Sequence, residues 1–169
     1  PVESWDIVGA FHTSEKFENN PGEGQPRLKR IFMVPPPEIA VPGKLMELLT
    51  AVYGLVEAPI RFHKKLAGWF AKNEFHPTLT KCLWVKFYRD GTRCVATTHV
   101  DDVQPTSPQH HLDAERVEFE KTFGKVTKQA GNYLHTGLEV DQDVGKTFQV
   151  KVGQKAYCES IVYIVITPQ

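Results

Sequence analysis

An excess of charge of either sign is missing from this chain: 20 Lys and Arg stand against 20 Asp and Glu in 169 residues, a formal net charge of zero. Proteins that grip a phosphate backbone usually carry a basic surplus, so composition supplies no signature of a nucleic-acid binder. It leaves room only for a basic groove on one face balanced by an acidic site on another. Cysteine is scarce too. Cys82, Cys94 and Cys158 are odd in number and share no CxxC spacing, which points to isolated thiols in a reducing compartment rather than a disulfide framework. Cys82 and Cys94 with His110-His111 fit no standard zinc pattern. No apolar run approaches the ~20 residues of a membrane helix. The opening Pro1-Val2-Glu3-Ser4 lacks the basic-then-apolar start of a signal peptide. An intracellular, non-secreted chain with no membrane partner is expected. No methionine opens the sequence, so a piece of a longer protein is expected as well.

What is present suits one globular domain. Hydrophobic residues make up 41% and charged residues 24%, ordinary values for a chain able to bury a core. Trp5 to Phe11 is short, apolar and rich in strand formers around one acid. Residues 12–27, with Asn19-Asn20-Pro21-Gly22, Gly24 and Pro26, read as an irregular loop. Arg30 to Val34 is a brief strand stopped by Pro35-Pro36-Pro37. Pro42-Gly43 opens a predicted helical stretch with Leu45, Leu48, Leu49 and Val52 at helical spacing. Pro59 is a natural first-turn residue for a second helix reaching Asn73, with Phe62, Leu66, Trp69 and Phe70 on one face.

Residues 82–88 and 93–100 are predicted strands joined by the turn Arg89-Asp90-Gly91-Thr92. A helix follows at 109–123 with Leu112, Val117, Phe119 and Phe123 as its apolar residues. Residues 133–140 and 146–152 form another expected pair around Asp143-Val144-Gly145, and a short helix is expected near Gln154. Hairpins outnumber βαβ units in this order, so the fold class is α+β.

Two acidic features carry potential chemistry. Asp6 is the one acid in the segment from Trp5 to Phe11, and Asp101-Asp102 follows the apolar run from Cys94 to Val100. Adjacent aspartates at a strand end resist burial unless paired or metal-bound. A polar turn, where Asp is favoured, is the alternative reading of Asp101-Asp102, and a strand-edge carboxylate that of Asp6. If the two segments lie side by side, three carboxylates form the all-oxygen site that Mg²⁺ prefers. A pair of such ions activates a hydroxyl and steadies a leaving pyrophosphate in an in-line displacement.

Several segments together, in order, resemble the reverse transcriptase of Ty1/copia-type retrotransposons. Asp6-Ile7-Val8-Gly9-Ala10-Phe11 is similar to that family's first catalytic motif, and Phe32-Met33 with Pro35-Pro36 to its YMxxPP segment. Tyr53-Gly54-Leu55-Val56-Glu57-Ala58-Pro59 is close to YGLKQAP, the most specific single match. Cys82-Leu83-Trp84-Val85 with Asp90-Gly91 resembles the lead-in to the catalytic hairpin, and His99-Val100-Asp101-Asp102 resembles YVDD. Gly137-Leu138-Glu139-Val140 resembles LGIEI, and Gln154 with Tyr157 resembles QxxY.

The resemblance implies an RNA-directed DNA polymerase with a palm-like antiparallel sheet, its catalytic hairpin packed on helices. Residues 1–169 would form one partial palm-like domain, the fingers lying upstream of Pro1 and the thumb and RNase H beyond Gln169. Asp6 and Asp101 would ligate two Mg²⁺ ions, Mn²⁺ being the substitute, with Asp102 the supporting acid beside them. The carbonyl of Ile7 would contact metal or phosphate. Phe11 would exclude a 2′-hydroxyl by a clash; a core aromatic is the alternative reading. Tyr53 and Gly54 would line the nucleotide and template pocket, where glycine lets backbone approach closely, and Pro59 would start the following helix. Arg61, Lys64 and Lys65 face either a phosphate backbone or solvent. The implied partners are an RNA or DNA template with primer, deoxynucleoside triphosphates and the rest of the Pol polyprotein.

The sequence departs from the family pattern in four places. His99 replaces a tyrosine, and Pro105 falls where the family has an apolar strand, which predicts a short or edge strand there. Residues 12–31 are longer and more polar than the family's connection, and Val56-Glu57 replaces Lys-Gln. The tail from Ile161 to Ile166 is unlike the family's continuation and reads as a strand or a terminal extra. These departures keep two alternatives open: a degenerate copy without catalysis, and a nucleic-acid-binding module on the same fold.

Overall fold

The aromatic residues of two helices and the inward-facing residues of one sheet decide this architecture. The computed structural model describes residues 1–14, 16–17, 30–143 and 149–161. The expected turn at Asn19 to Gly22, most of the polar insertion, the turn at Val144-Gly145 and the tail beyond Ile161 lie outside the described residues.

The strands are β1 (Glu3–Ile7), β2 (Phe32–Met33), β3 (Met46–Glu47), β4 (His76–Pro77), β5 (Leu83–Phe87), β6 (Arg93–His99), β7 (Asp102–Thr106), β8 (Val126–Ala130), β9 (Tyr133–His135), β10 (Leu138–Gln142) and β11 (Val150–Gly153). The helices are α1 (Ala58–Lys72), α2 (Gln109–Phe123) and α3 (Lys155–Ser160). Six strands form one sheet in the order β4-β5-β6-β7-β1-β8, and β11-β10-β9 form a second. Every pairing among the described strands is antiparallel. The class is α+β, as the hairpin-rich order predicts.

Period-two alternation buries one face of the large sheet. Trp5, Ile7, Cys94, Ala96, Val103 and Val126 are buried in one cluster with Phe62, Leu66, Trp69, Phe70, Leu112, Phe119 and Phe123 of α1 and α2. Trp5 meets Phe119 at 5.6 Å, Phe62 meets Phe123 at 5.9 Å, and Phe70 stacks on Trp84 at 4.9 Å. α1 begins at Ala58-Pro59, where a missing N–H costs nothing, and ends as Asn73 caps the Trp69 carbonyl through its side chain. α2 stops at Gly124, whose φ of 80° accommodates the turn out of the helix.

Glu3 brings a charge into this face. Glu3 is fully buried, yet it accepts hydrogen bonds from Trp5 Nε1 at 2.8 Å, Gln109 Nε2 at 2.8 Å and Lys128 Nζ at 2.9 Å. Burial raises its pKa, but these three donors outweigh burial and hold it below the usual carboxylate value.

The structure corrects the sequence reading in several places. The stretch after Pro42-Gly43 is not a helix: it holds the short strand β3, where Glu47 pairs with Phe32 and bonds to Arg30. Leu45 and Leu49 are exposed there while Leu48 packs against the core, so the apparent helical stripe does not share one buried face. β1 ends at Ile7 because Gly9, at φ 66°, turns the chain into a 3-10 turn over Ala10–Thr13. The run 133–140 divides at Thr136-Gly137 into β9 and β10, and β8 forms where the sequence pattern predicts no strand.

Pro105 does not lie on an edge strand: β7 sits between β6 and β1. The ladder to β1 accommodates it by lapsing. It runs through Trp5↔Val103 and Asp6↔Asp102 and resumes at the isolated bridge Val2↔Thr106, as a residue without an N–H donor requires. On α2, Val117 is exposed while Glu115 is buried against Lys86 at 2.6 Å.

This helix phase is testable by urea denaturation. Phe119→Ala is expected to destabilise the fold by about 3–5 kcal/mol through a core cavity, while Val117→Ala is expected to stay within about 0.5 kcal/mol. Similar losses at both positions would contradict the phase.

Candidate active site

The face of the large sheet opposite the helices carries the acids. Asp6 alternates with buried Trp5 and Ile7, so its side chain leaves the core face. β6 and β7 form a hairpin whose last pair is His99↔Asp102, leaving Val100 and Asp101 as its two-residue turn. Asp102 in turn is the register partner of Asp6. Residues 96 positions apart in sequence thus stand directly across one ladder, where Cβ atoms are about 4.5–5.5 Å apart.

Turn and ladder give the two adjacent aspartates different surroundings. Asp102 is committed to the strand beside Asp6. Asp101 projects from the turn and accepts a hydrogen bond from the Tyr53 hydroxyl at 3.1 Å. Val100 has φ 54°, a left-handed conformation that is strained for a β-branched residue. Such strain persists only where pairing on both sides enforces it, and β6 and β7 supply that pairing.

The electrostatics are those of uncompensated crowding. Burial, then the Asp102 charge, then the Asp101 charge push the Asp6 carboxyl above its ordinary range. Burial, the bond to Asp101 and the charges of Asp101 and Asp6 push the Tyr53 phenol upward as well. Among the described residues, no ion pair to a lysine, arginine or histidine is found for any of the three acids. Unpaired carboxylate oxygens gathered on one face are the donor set that hard divalent cations take. Among the described residues the three carboxylates do not form a set whose ligand atoms all lie within 4.8 Å of one another, and Asp101 is engaged by Tyr53.

The other expected residues divide into two groups. Phe11 is buried, with its ring 4.5 Å from Tyr53 and 6.1 Å from Phe62. It belongs to the core and meets the site through the exposed ring of Tyr53. Ile7 turns its side chain into the core, so only its backbone is left for the expected role. Gly54 has φ 93° with open space around a notional Cβ, so its need for glycine is conformational. Pro59 opens α1 and is exposed. Lys65 does not face outward: its ammonium bonds to the Thr13 carbonyl and lies over the Phe123 ring at 5.1 Å.

The sequence reading missed two residues beside the acids. Ser4 shares a strand face with Asp6, and its hydroxyl is 3.0 Å from His135 Nδ1, both residues being buried. Burial depresses the His135 pKa, the Asp102 charge opposes that shift, and His99 reinforces it. Through His135 and the bond from Gln104 Nε2 to the Tyr133 hydroxyl at 3.0 Å, the second sheet is fastened to the acidic face. Nothing in the pattern Tyr133-Leu134-His135 signals this, because the contact spans 131 residues.

No protein-family model matches the chain and no curated protein sequence matches it.

The crowding has a measurable sign. The folded state holds a proton on Asp6 more readily than the unfolded state, so stability falls as pH rises from about 4 through the raised pKa and stays lowered at neutral pH. Asp6→Asn is therefore expected to raise the Tm at pH 7 in a chelating buffer by about 1–2 °C, a figure discounted for solvent screening. A fall in Tm, measured by scanning calorimetry, would reject like-charge repulsion at this site.

Proposed function

We propose that this chain is the palm of a copia-type retrotransposon reverse transcriptase, an RNA-directed DNA polymerase. One observation carries the reading. Asp6, from the first resembling motif, stands across a ladder from Asp102, at the hairpin that carries the second. The antiparallel sheet with helices on one face and acids on the other supports this reading. The acidic set would hold two Mg²⁺ ions, with Mn²⁺ as a substitute, and the ions would supply hydroxyl activation and charge stabilisation at the leaving pyrophosphate.

The chain's own residues do the positioning. β1 and β7 bring Asp6 and Asp102 together, and the strained turn carries Asp101 beside Tyr53. Tyr53, resting on Phe11, offers an exposed ring beside Asp101 for a nucleotide. The partners would be a primed RNA or DNA template, deoxynucleoside triphosphates and the remainder of a Pol polyprotein. A second reading, a palm that folds without catalysing, is favoured by Pro105 within an inner strand.

Primer extension separates the two. With the chain expressed in its full reading frame, extension of a primed RNA template in Mg²⁺ or Mn²⁺ is expected. Asp101→Asn is expected to lower it by about 10²–10³-fold or more while leaving template-primer binding in place. Extension at the normal rate by that variant would refute the assignment, and no extension by the parent would favour the inactive palm.

A further inference from the structure

A second cluster of ligating groups lies at the other end of β6. Asp90 occupies the β5–β6 turn, and His110 and His111 occupy the first turn of α2. His111 Nε2 is 2.9 Å and His110 Nε2 3.8 Å from the same oxygen, Asp90 Oδ2. The three donor atoms all lie within 4.8 Å of one another. The strand between this cluster and Asp101 puts the two sites roughly 20 Å apart at the rise of a β-strand.

Neighbouring groups hold the cluster in shape. Asp90 Oδ1 is engaged by the Thr92 backbone N–H at 2.9 Å and hydroxyl at 2.6 Å, which leaves Oδ2 to the imidazoles. The His111 ring stacks on Tyr88 at 3.6 Å with an interplanar angle of 5°. Tyr88 is anchored in turn by its hydroxyl bond to Glu115 at 2.9 Å. Such outer partners orient metal ligands and set their availability.

We propose that Asp90, His110 and His111 form a binding site for a borderline divalent transition-metal ion, Zn²⁺ being the representative. Two imidazole nitrogens and one carboxylate oxygen suit Zn²⁺, Co²⁺, Ni²⁺ or Cu²⁺, whereas Mg²⁺ prefers oxygen alone. Bonds of about 2.0–2.1 Å to a tetrahedral ion place ligand atoms about 3.4 Å apart. The separations of 2.9 and 3.8 Å from Asp90 bracket that figure, a ring nitrogen of each histidine lies within 4.8 Å of the other, and the ion would replace the hydrogen bond between His111 and Asp90. A fourth position stays open to water or to a ligand from another molecule. Cys94 takes no part: it is buried, and burial first, with the Glu115 charge second, pushes its thiol up to about 12. The bound ion would clamp the β5–β6 turn to the start of α2.

Calorimetric titration of the whole chain with ZnCl₂ in excess MgCl₂ tests this. One saturable Zn²⁺ site is expected, with Tm rising by about 5–10 °C at a hundredfold excess over Kd. His110→Ala removes an exposed side chain, so it is expected to keep the chelated protein's Tm and to weaken Zn²⁺ about 100-fold or more; Asp90→Asn is expected to weaken it as well. The triple variant Asp6→Asn, Asp101→Asn, Asp102→Asn is expected to bind Zn²⁺ as the parent does. Absence of saturable binding, full affinity in His110→Ala, or loss confined to the triple variant would each overturn the proposal.

Discussion

The pairing of β1 with β7 is the interaction on which the acidic site depends, because without it Asp6 and Asp102 are 96 positions apart with nothing to bring them together. The pairing opposes a local penalty. It sets two carboxylates side by side, and its ladder is interrupted opposite Pro105. Magnitudes show why it holds. Repulsion between partly solvated charges costs a few tenths of a kcal/mol, whereas burying a large apolar side chain contributes about 1.5–3 kcal/mol. Trp5 and Ile7 are both buried beneath the helices, and five further register pairs tie β1 to β8. The core face holds the acidic face together.

That division of labour runs through the molecule. Odd positions of β1 serve the core, down to Glu3, whose charge is tolerated there because three donors surround it. Even positions serve the opposite face, where Ser4 reaches His135 and Asp6 meets Asp102. Tyr53 joins the two sides, with its ring on Phe11 and its hydroxyl on Asp101. A substitution at Phe11 would consequently reach the site through packing, whatever its direct role.

Much of the fold is legible in the sequence where local pattern and tertiary environment agree. The helix expected at about 109–123 forms there, with Val117 exposed and Glu115 buried in its place, and α1 agrees within a residue at each end, because Phe62, Leu66, Trp69 and Phe70 repeat at helical spacing and find a core. The β5–β6 hairpin follows from Asp90-Gly91. The failures share one cause, reliance on a pattern whose partner surface was unknown. Leu45, Leu48, Leu49 and Val52 have helical spacing, yet Leu45 and Leu49 are exposed and the segment pairs with β2 instead. β8 has one buried residue, Val126, in five, so its register against β1 left little trace in hydrophobicity.

The candidate site divides the same way. The sequence by itself named the acids at 6, 101 and 102, the hairpin and the tyrosine at 53, since chemistry-bearing residues and turn formers are local features. Tertiary structure alone decided that Asp6 pairs with Asp102 rather than Asp101, that Tyr53 bonds to Asp101, and that His135 bonds to Ser4. It alone brought Asp90 to His110 and His111. Strand register and sheet order set those contacts, and both are fixed by which side chains share a buried face across distant segments, a property no local stretch of sequence contains.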